Sequence, residues 1–155
     1  MWNSKRSVNF SLVVVLFVSG ILLALLLFGP KLFELYMVAY RGFSPSGEAI
    51  KMLKKVFGIC FYSSAPFAAT ILYCLIRLLL NIKKNSIFIL ENAKYLKVVS
   101  WCCFLIAIIT LVGGIFYMPL LSIAAAGCFT GVLLRVLKNV MEKAIELKEE
   151  NELTI

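Results

Sequence analysis

VNFSLVVVLFVSGILLALLLF, residues 8–28, carries no charge and follows the basic pair Lys5-Arg6. A stretch like this near the start of a chain is either a secretory leader or a membrane span. Leader cores hold roughly 7–15 apolar residues and end at a small-x-small cleavage site. This run is longer and no such site follows, so it predicts a retained span. Gly29-Pro30 then predicts a break. The residue before proline is pushed out of the helical region, and proline suits the first turn of a new helix.

Three further runs resemble the first: residues 56–80, 98–117 and 120–137. Runs of about 20 residues at ~1.5 Å rise match the hydrocarbon thickness of a bilayer. Pro66 sits inside the second run, after Ser63 and Ser64. In lipid such a proline kinks a helix rather than ending it, because hydroxyls and neighbouring helices satisfy the freed carbonyl. Trp101 and Tyr117 are expected as interfacial anchors. Met118-Pro119 is expected as a tight connection.

The segment KLFELYMVAY, residues 31–40, is too short and polar to span. Leu32, Leu35, Tyr36 and Ala39 recur at helical spacing, which predicts a helix lying in the membrane interface. A turn follows at residues 43–47, with Ser46 as the N-cap of the next helix.

Composition agrees with these spans. The chain has 155 residues, 62% hydrophobic and 15% charged, with mean hydropathy +0.97. A soluble domain of this length cannot hide so much apolar surface. One domain is expected over residues 1–155, with a tail at 138–155. The net charge is +8. Because Lys and Arg flank the apolar runs, anionic headgroups account for them better than direct nucleic-acid binding does.

Orientation follows from those charges. With both termini cytoplasmic, Lys5, Arg6, Arg77, Lys83, Lys84, Lys94, Lys97, Arg135, Lys138, Lys143 and Lys148 lie inside. Lys31, Arg41, Lys51, Lys54 and Lys55 lie outside. The bias favours this arrangement, although Lys51, Lys54 and Lys55 crowd the wrong end of the second span.

The chemistry available is narrow. Histidine and aspartate are absent, and all eight acids are glutamates outside the apolar runs. No HExxH, GxSxG or phosphate loop occurs. Nothing suggests a cofactor or metal, and a non-enzymatic protein is expected. Cys60, Cys74, Cys102, Cys103 and Cys128 all lie in apolar runs, which predicts packing residues rather than disulfides. No ionisable group falls near a midplane, which weighs against a coupled transporter.

Helix packing gives a clearer signal. Gly127 and Gly131 form GxxxG beside Ala124, Ala125 and Ala126, and Gly113-Gly114 could supply a facing surface. Close helix approach is implied, either within one four-helix bundle, the favoured reading, or across a homodimer.

Two charged segments remain. NSIFILENAKYLK, residues 85–97, joins spans two and three. Glu91 and Asn92 fall in the first turn of a helix, where an acid is favoured. Residues 87–90 are too apolar for a free loop and are expected against the bilayer or the bundle, while Lys94 and Lys97 meet headgroups. The tail continues the last helix, with Leu133, Val136, Leu137, Val140, Ala144 and Leu147 at helical spacing. Glu142, Glu146, Glu149 and Glu150 lie among them, and acids at the end predict fraying near Glu150. Basic loop and acidic tail could form one cytoplasmic docking surface.

ENAKYLKVVSW (91–101) and RVLKNVMEKAIELKEENELTI (135–155) resemble a family of small bacterial four-span membrane proteins catalogued only as a domain of unknown function. Its members share the Glu-x-x-Leu-Thr tail. Before the Glu-Asn pair the family commonly has Pro-Phe and then Ser or Thr; here Ile87-Phe88-Ile89 stands instead, without the capping hydroxyl. The resemblance brings no activity. It implies a partner, because the family's genes often lie beside one for a small Cro/C1-type helix-turn-helix regulator.

The expected fold is all-α: an integral membrane bundle of four transmembrane helices with an extracytoplasmic interfacial helix and a cytoplasmic helical tail. The expected function is sensing or scaffolding at the cell membrane, binding a small regulator through residues 82–97 and the tail. The alternative is an oligomeric channel, exporter or resistance component within the bilayer.

Overall fold

The structure, a computed structural model, describes residues 4–42, 47–84 and 86–153. Four helices account for nearly all of them: α1 (Ser4–Arg41), α2 (Glu48–Lys83), α3 (Leu90–Gly114) and α4 (Pro119–Leu153). Each is long and apolar enough to cross a membrane. They run up, down, up, down, so α1 starts and α4 ends at one end of the molecule. That end, which also holds the α2–α3 connection, is the terminal end; the other is the hairpin end.

Charge marks the depth of the apolar belt. No charged residue lies between Lys55 and Arg77 in α2. Along a helix that interval rises roughly 33 Å. The same belt runs from Arg6 to Lys31 in α1, and α4 carries no charge before Arg135. These lengths match a hydrocarbon core of about 30 Å.

The helices form an open row rather than a closed bundle. α1 packs on α2, α2 on α3, and α3 on α4; among the described residues no other pair of helices is in close backbone contact. α3 is the inner helix, burying Leu96, Val99, Cys102, Cys103 and Ala107. Lipid accepts the outward apolar faces, so closure is not needed to hide them.

The expected break at Gly29-Pro30 does not occur: α1 runs straight through Pro30. Proline removes the N–H that would bond the Leu26 carbonyl. The Tyr62 hydroxyl of α2 donates to that same carbonyl at 3.1 Å. Gly29 allows the helices this close, since a Cβ there would stand 3.3 Å from the Phe61 ring.

Residues 31–40 are therefore not a separate helix but the upper part of α1, zipped to the start of α2. Phe33 and Met37, the latter 1% exposed, pack with Ile50, Leu53 and Phe57. Phe33 stacks on Phe57 at 4.2 Å and meets Tyr117 edge-on at 5.6 Å. Leu32, Leu35, Tyr36 and Ala39, the apolar set at helical spacing, point outward from the protein. Glu34 and Lys54 pair across the same seam. Tyr117 thus packs against α1. The expected turn at residues 43–46 and the Ser46 cap lie outside the described residues; the N-cap position of α2 is Gly47.

α2 is continuous past Pro66. Ser64 donates to the Phe61 carbonyl at 2.9 Å, one residue before the Tyr62 carbonyl that Pro66 leaves without its helical N–H. Pro119 opens α4, where its missing N–H costs nothing. α4 stays helical to Leu153, beyond the expected fraying point.

Candidate functional site

Asn92 organises the terminal end. It sits in the first turn of α3 and is 0% exposed. Its amide nitrogen donates to the carbonyls of Ser86 at 2.9 Å and Ile87 at 2.8 Å. Its carbonyl oxygen accepts from Asn81 Nδ2 at 2.9 Å. One side chain thus ties the end of α2, the connection and the start of α3 together.

That geometry resolves the missing cap. The N-cap of α3 is Ile89, in an extended conformation without a side-chain cap bond. Asn92 reaches back from inside the helix and fixes the loop instead, and its own N–H bonds the Ile89 carbonyl at 3.0 Å. Ser86 N–H bonds the Asn81 carbonyl, also at 3.0 Å. The connection is held at several points. Asn92, with every polar atom of its side chain spent internally, belongs to this frame and is not presented to a partner.

The other candidate residues are outward. Glu91, Lys94 and Lys97 are exposed on α3. Among the described residues Lys94 and Lys97 form no ion pair. Glu142 pairs with Lys138, and Glu146 with Lys143 at 2.8 Å, both within α4. The bond to Glu146 raises the Lys143 ammonium above its ordinary value. Glu149 and Glu150 are exposed near the helix end. Glu142 and Glu146 therefore brace α4 along its own length rather than bridging to the lysines of α3.

Gly131, Leu134, Lys138, Met141 and Ile145 turn inward; Ile145 is 5% exposed. Leu133, Val136, Leu137, Val140 and Leu147 turn outward. Ser100 donates to the Gly131 carbonyl at 2.8 Å, which sets the level of α4 against α3. Counted from that level, α4 passes the start of α3 near Met141 and continues to Leu153. The projecting part is roughly 18 Å long. Leu147 stands exposed on the projection, and Ile87 and Phe88 on the α2–α3 loop and Leu90 at the start of α3 stand exposed as well.

The small-residue seam is internal. A Cβ on Gly127 would meet Ala107 at 3.2 Å, and one on Gly131 would meet the Phe104 ring at 3.1 Å. A Cβ on Gly113 would strike Cys60 and Leu120; on Gly114, Leu121. All four glycines serve packing within one chain, and a second copy would need another face. Cys60, Cys74, Cys102 and Cys103 are buried as free thiols, and Cys128 faces outward. Arg135 lies over Trp101 at 5.4 Å, and Arg77 lies over Tyr73 at 5.8 Å. The two pairs make an aromatic–cation belt at the terminal-end boundary.

Sequence reading missed three connections: Asn81 to Asn92, Ser100 to Gly131, and Tyr62 to Leu26. Each joins polar groups distant in sequence. The legible signal is only a lone polar residue at the edge of an apolar run, such as Asn81.

Four helices of this kind with a polar frame at one end define a multi-pass membrane protein. The chain belongs to the family described as protein of unknown function (DUF2975), whose model matches residues 11–155. No curated protein and no solved structure matches it.

Proposed function

We propose that the protein is a non-enzymatic scaffold or sensor of the cell membrane, with both termini cytoplasmic. It docks a small cytoplasmic regulator on the terminal-end surface. One observation carries this reading: exposed apolar side chains on ordered elements beyond the charged boundary. Phe88 is 49% exposed on a loop locked by Asn92, and Leu147 is 54% exposed on the projecting part of α4. A loop that only anchored in lipid would not need three side-chain hydrogen bonds to fix its shape. Glu91, Lys94 and Lys97 on α3 and Glu149 and Glu150 on α4 add exposed charge on the neighbouring helices, and apolar groups with charged neighbours are the anatomy of a protein-binding patch. The family resemblance supplies the partner's chemistry, a small helix-turn-helix protein.

Crosslinking in native membranes tests this. The wild-type chain should recover a small DNA-binding protein; Phe88→Glu and Leu147→Glu should lose it while staying folded in the membrane. Equal recovery by all three would overturn the reading. Cysteines placed at Glu48 and Glu149 in a cysteine-free chain should label from opposite sides, Glu149→Cys from the cytoplasm.

A further inference from the structure

Lys51, Lys54 and Lys55 lie in the first turns of α2, at the hairpin end, where cytoplasmic charge bias does not explain them. They head a groove of about 760 Å³ walled on one side by Pro30 of α1. Below the lysines its lining changes to Gly58 and Ile59, then Tyr62 and Ser63. The groove is thus cationic at the hairpin end and almost wholly apolar below.

Its depth is informative. The lining runs from Lys51 to Ser63. That rise is roughly 18 Å, about half of a bilayer. It ends just short of Pro66, midway between the charged limits Lys55 and Arg77. The groove therefore occupies one leaflet, with its cations at headgroup level.

The charges leave a net attraction for an anion. Lys51 is held by Glu48 at 3.1 Å, and Lys54 by Glu34. Lys55, exposed on the groove wall, has no ion-pair partner among the described residues. Lys31 adds another exposed cation next to Pro30. The Tyr62 hydroxyl is spent on Leu26, so Tyr62 offers the lower groove bulk rather than a donor. Gly58 leaves room: a Cβ there would meet nothing within 4 Å.

We propose that this groove binds one anionic phospholipid of the leaflet at the hairpin end, its phosphate at Lys55 and an acyl chain along Gly58 and Ile59. The membrane itself delivers this occupant in the required orientation. A soluble anion would satisfy the lysines but leave the apolar length empty.

The test uses the full-length chain, stripped in mild detergent and offered equal phosphatidylglycerol and phosphatidylcholine, with retained lipid read by native mass spectrometry. Wild type should retain one phosphatidylglycerol in preference to phosphatidylcholine. Lys55→Gln should weaken that retention about fivefold. Gly58→Leu, which fills the groove from a position with open space at its Cβ, should abolish it. Gly20→Leu, also placed in open space, should leave it unchanged. Matching elution profiles and melting temperatures establish that the variants are folded. Equal retention of the two lipids by wild type, or undiminished phosphatidylglycerol on folded Gly58→Leu, overturns the proposal.

Discussion

The Tyr62 hydroxyl donates to the Leu26 carbonyl, the backbone acceptor in α1 that Pro30 leaves without its helical partner. In lipid no water can take that role. The bond explains how α1 stays whole through a residue that would be expected to end it, and why α1 and α2 rise together as a hairpin.

Tyr62→Phe should therefore destabilise the chain by about 1–2 kcal/mol, the cost of an orphaned acceptor. Pro30→Ala restores an N–H to α1. In that background Tyr62→Phe should cost less than about 0.5 kcal/mol, a coupling that a double-mutant cycle measures by unfolding in detergent micelles. Equal costs in both backgrounds would mean that Tyr62 only fills space.

Asn92 makes a similar prediction at the other end. Asn92→Ala strips partners from Ser86, Ile87 and Asn81 together and should cost about 2–3 kcal/mol. Asn92→Asp should cost at least as much, since it keeps the acceptor for Asn81 but sets a carboxylate oxygen against two carbonyls. Hydrogen exchange should report it locally: amides of residues 86–91 lose protection in both variants while those of residues 102–110 do not. Unchanged exchange in the loop would contradict the role assigned to Asn92.

The glycines should rank by what surrounds them. Gly113→Ala drives a methyl group into Cys60 and Leu120. It should lose about 1–3 kcal/mol. Gly127→Ala, 3.2 Å from Ala107, should lose less. Gly20→Ala meets nothing and should lose none. Melting temperatures of the three purified variants give the order directly. A melt of Gly20→Ala as low as that of Gly113→Ala would imply a contact outside this chain.

Span number and all-α class are legible because hydropathy over a window of about 20 residues is a one-dimensional property. So is the first turn of α3, with Glu91 and Asn92 in it. The course of α1 is not. Gly29-Pro30 carries a local signal for a break, and the group that cancels it, Tyr62, lies in another helix. The inward face of residues 31–40 is hidden for the same reason. Leu32, Leu35, Tyr36 and Ala39 recur at helical spacing just as Phe33 and Met37 do, and in lipid an apolar residue need not face protein. The α4 tail repeats the lesson, with Leu133 and Val140 outward and Gly131 and Ile145 inward. The sequence marks Asn92 as a polar residue of consequence, but its partners, which make it a frame residue, appear only when the loop is folded.

The docking account is tested most directly by a photoreactive amino acid placed at Leu147, and in a second chain at Phe28. Phe28 is exposed on α1 within the apolar belt and serves as the lipid-facing comparison. After irradiation in living cells, the Leu147 probe should yield a discrete adduct with a small soluble DNA-binding protein, and the Phe28 probe none. Lipid adducts alone at Leu147, indistinguishable from those at Phe28, would contradict the account and leave the terminal end as a membrane anchor.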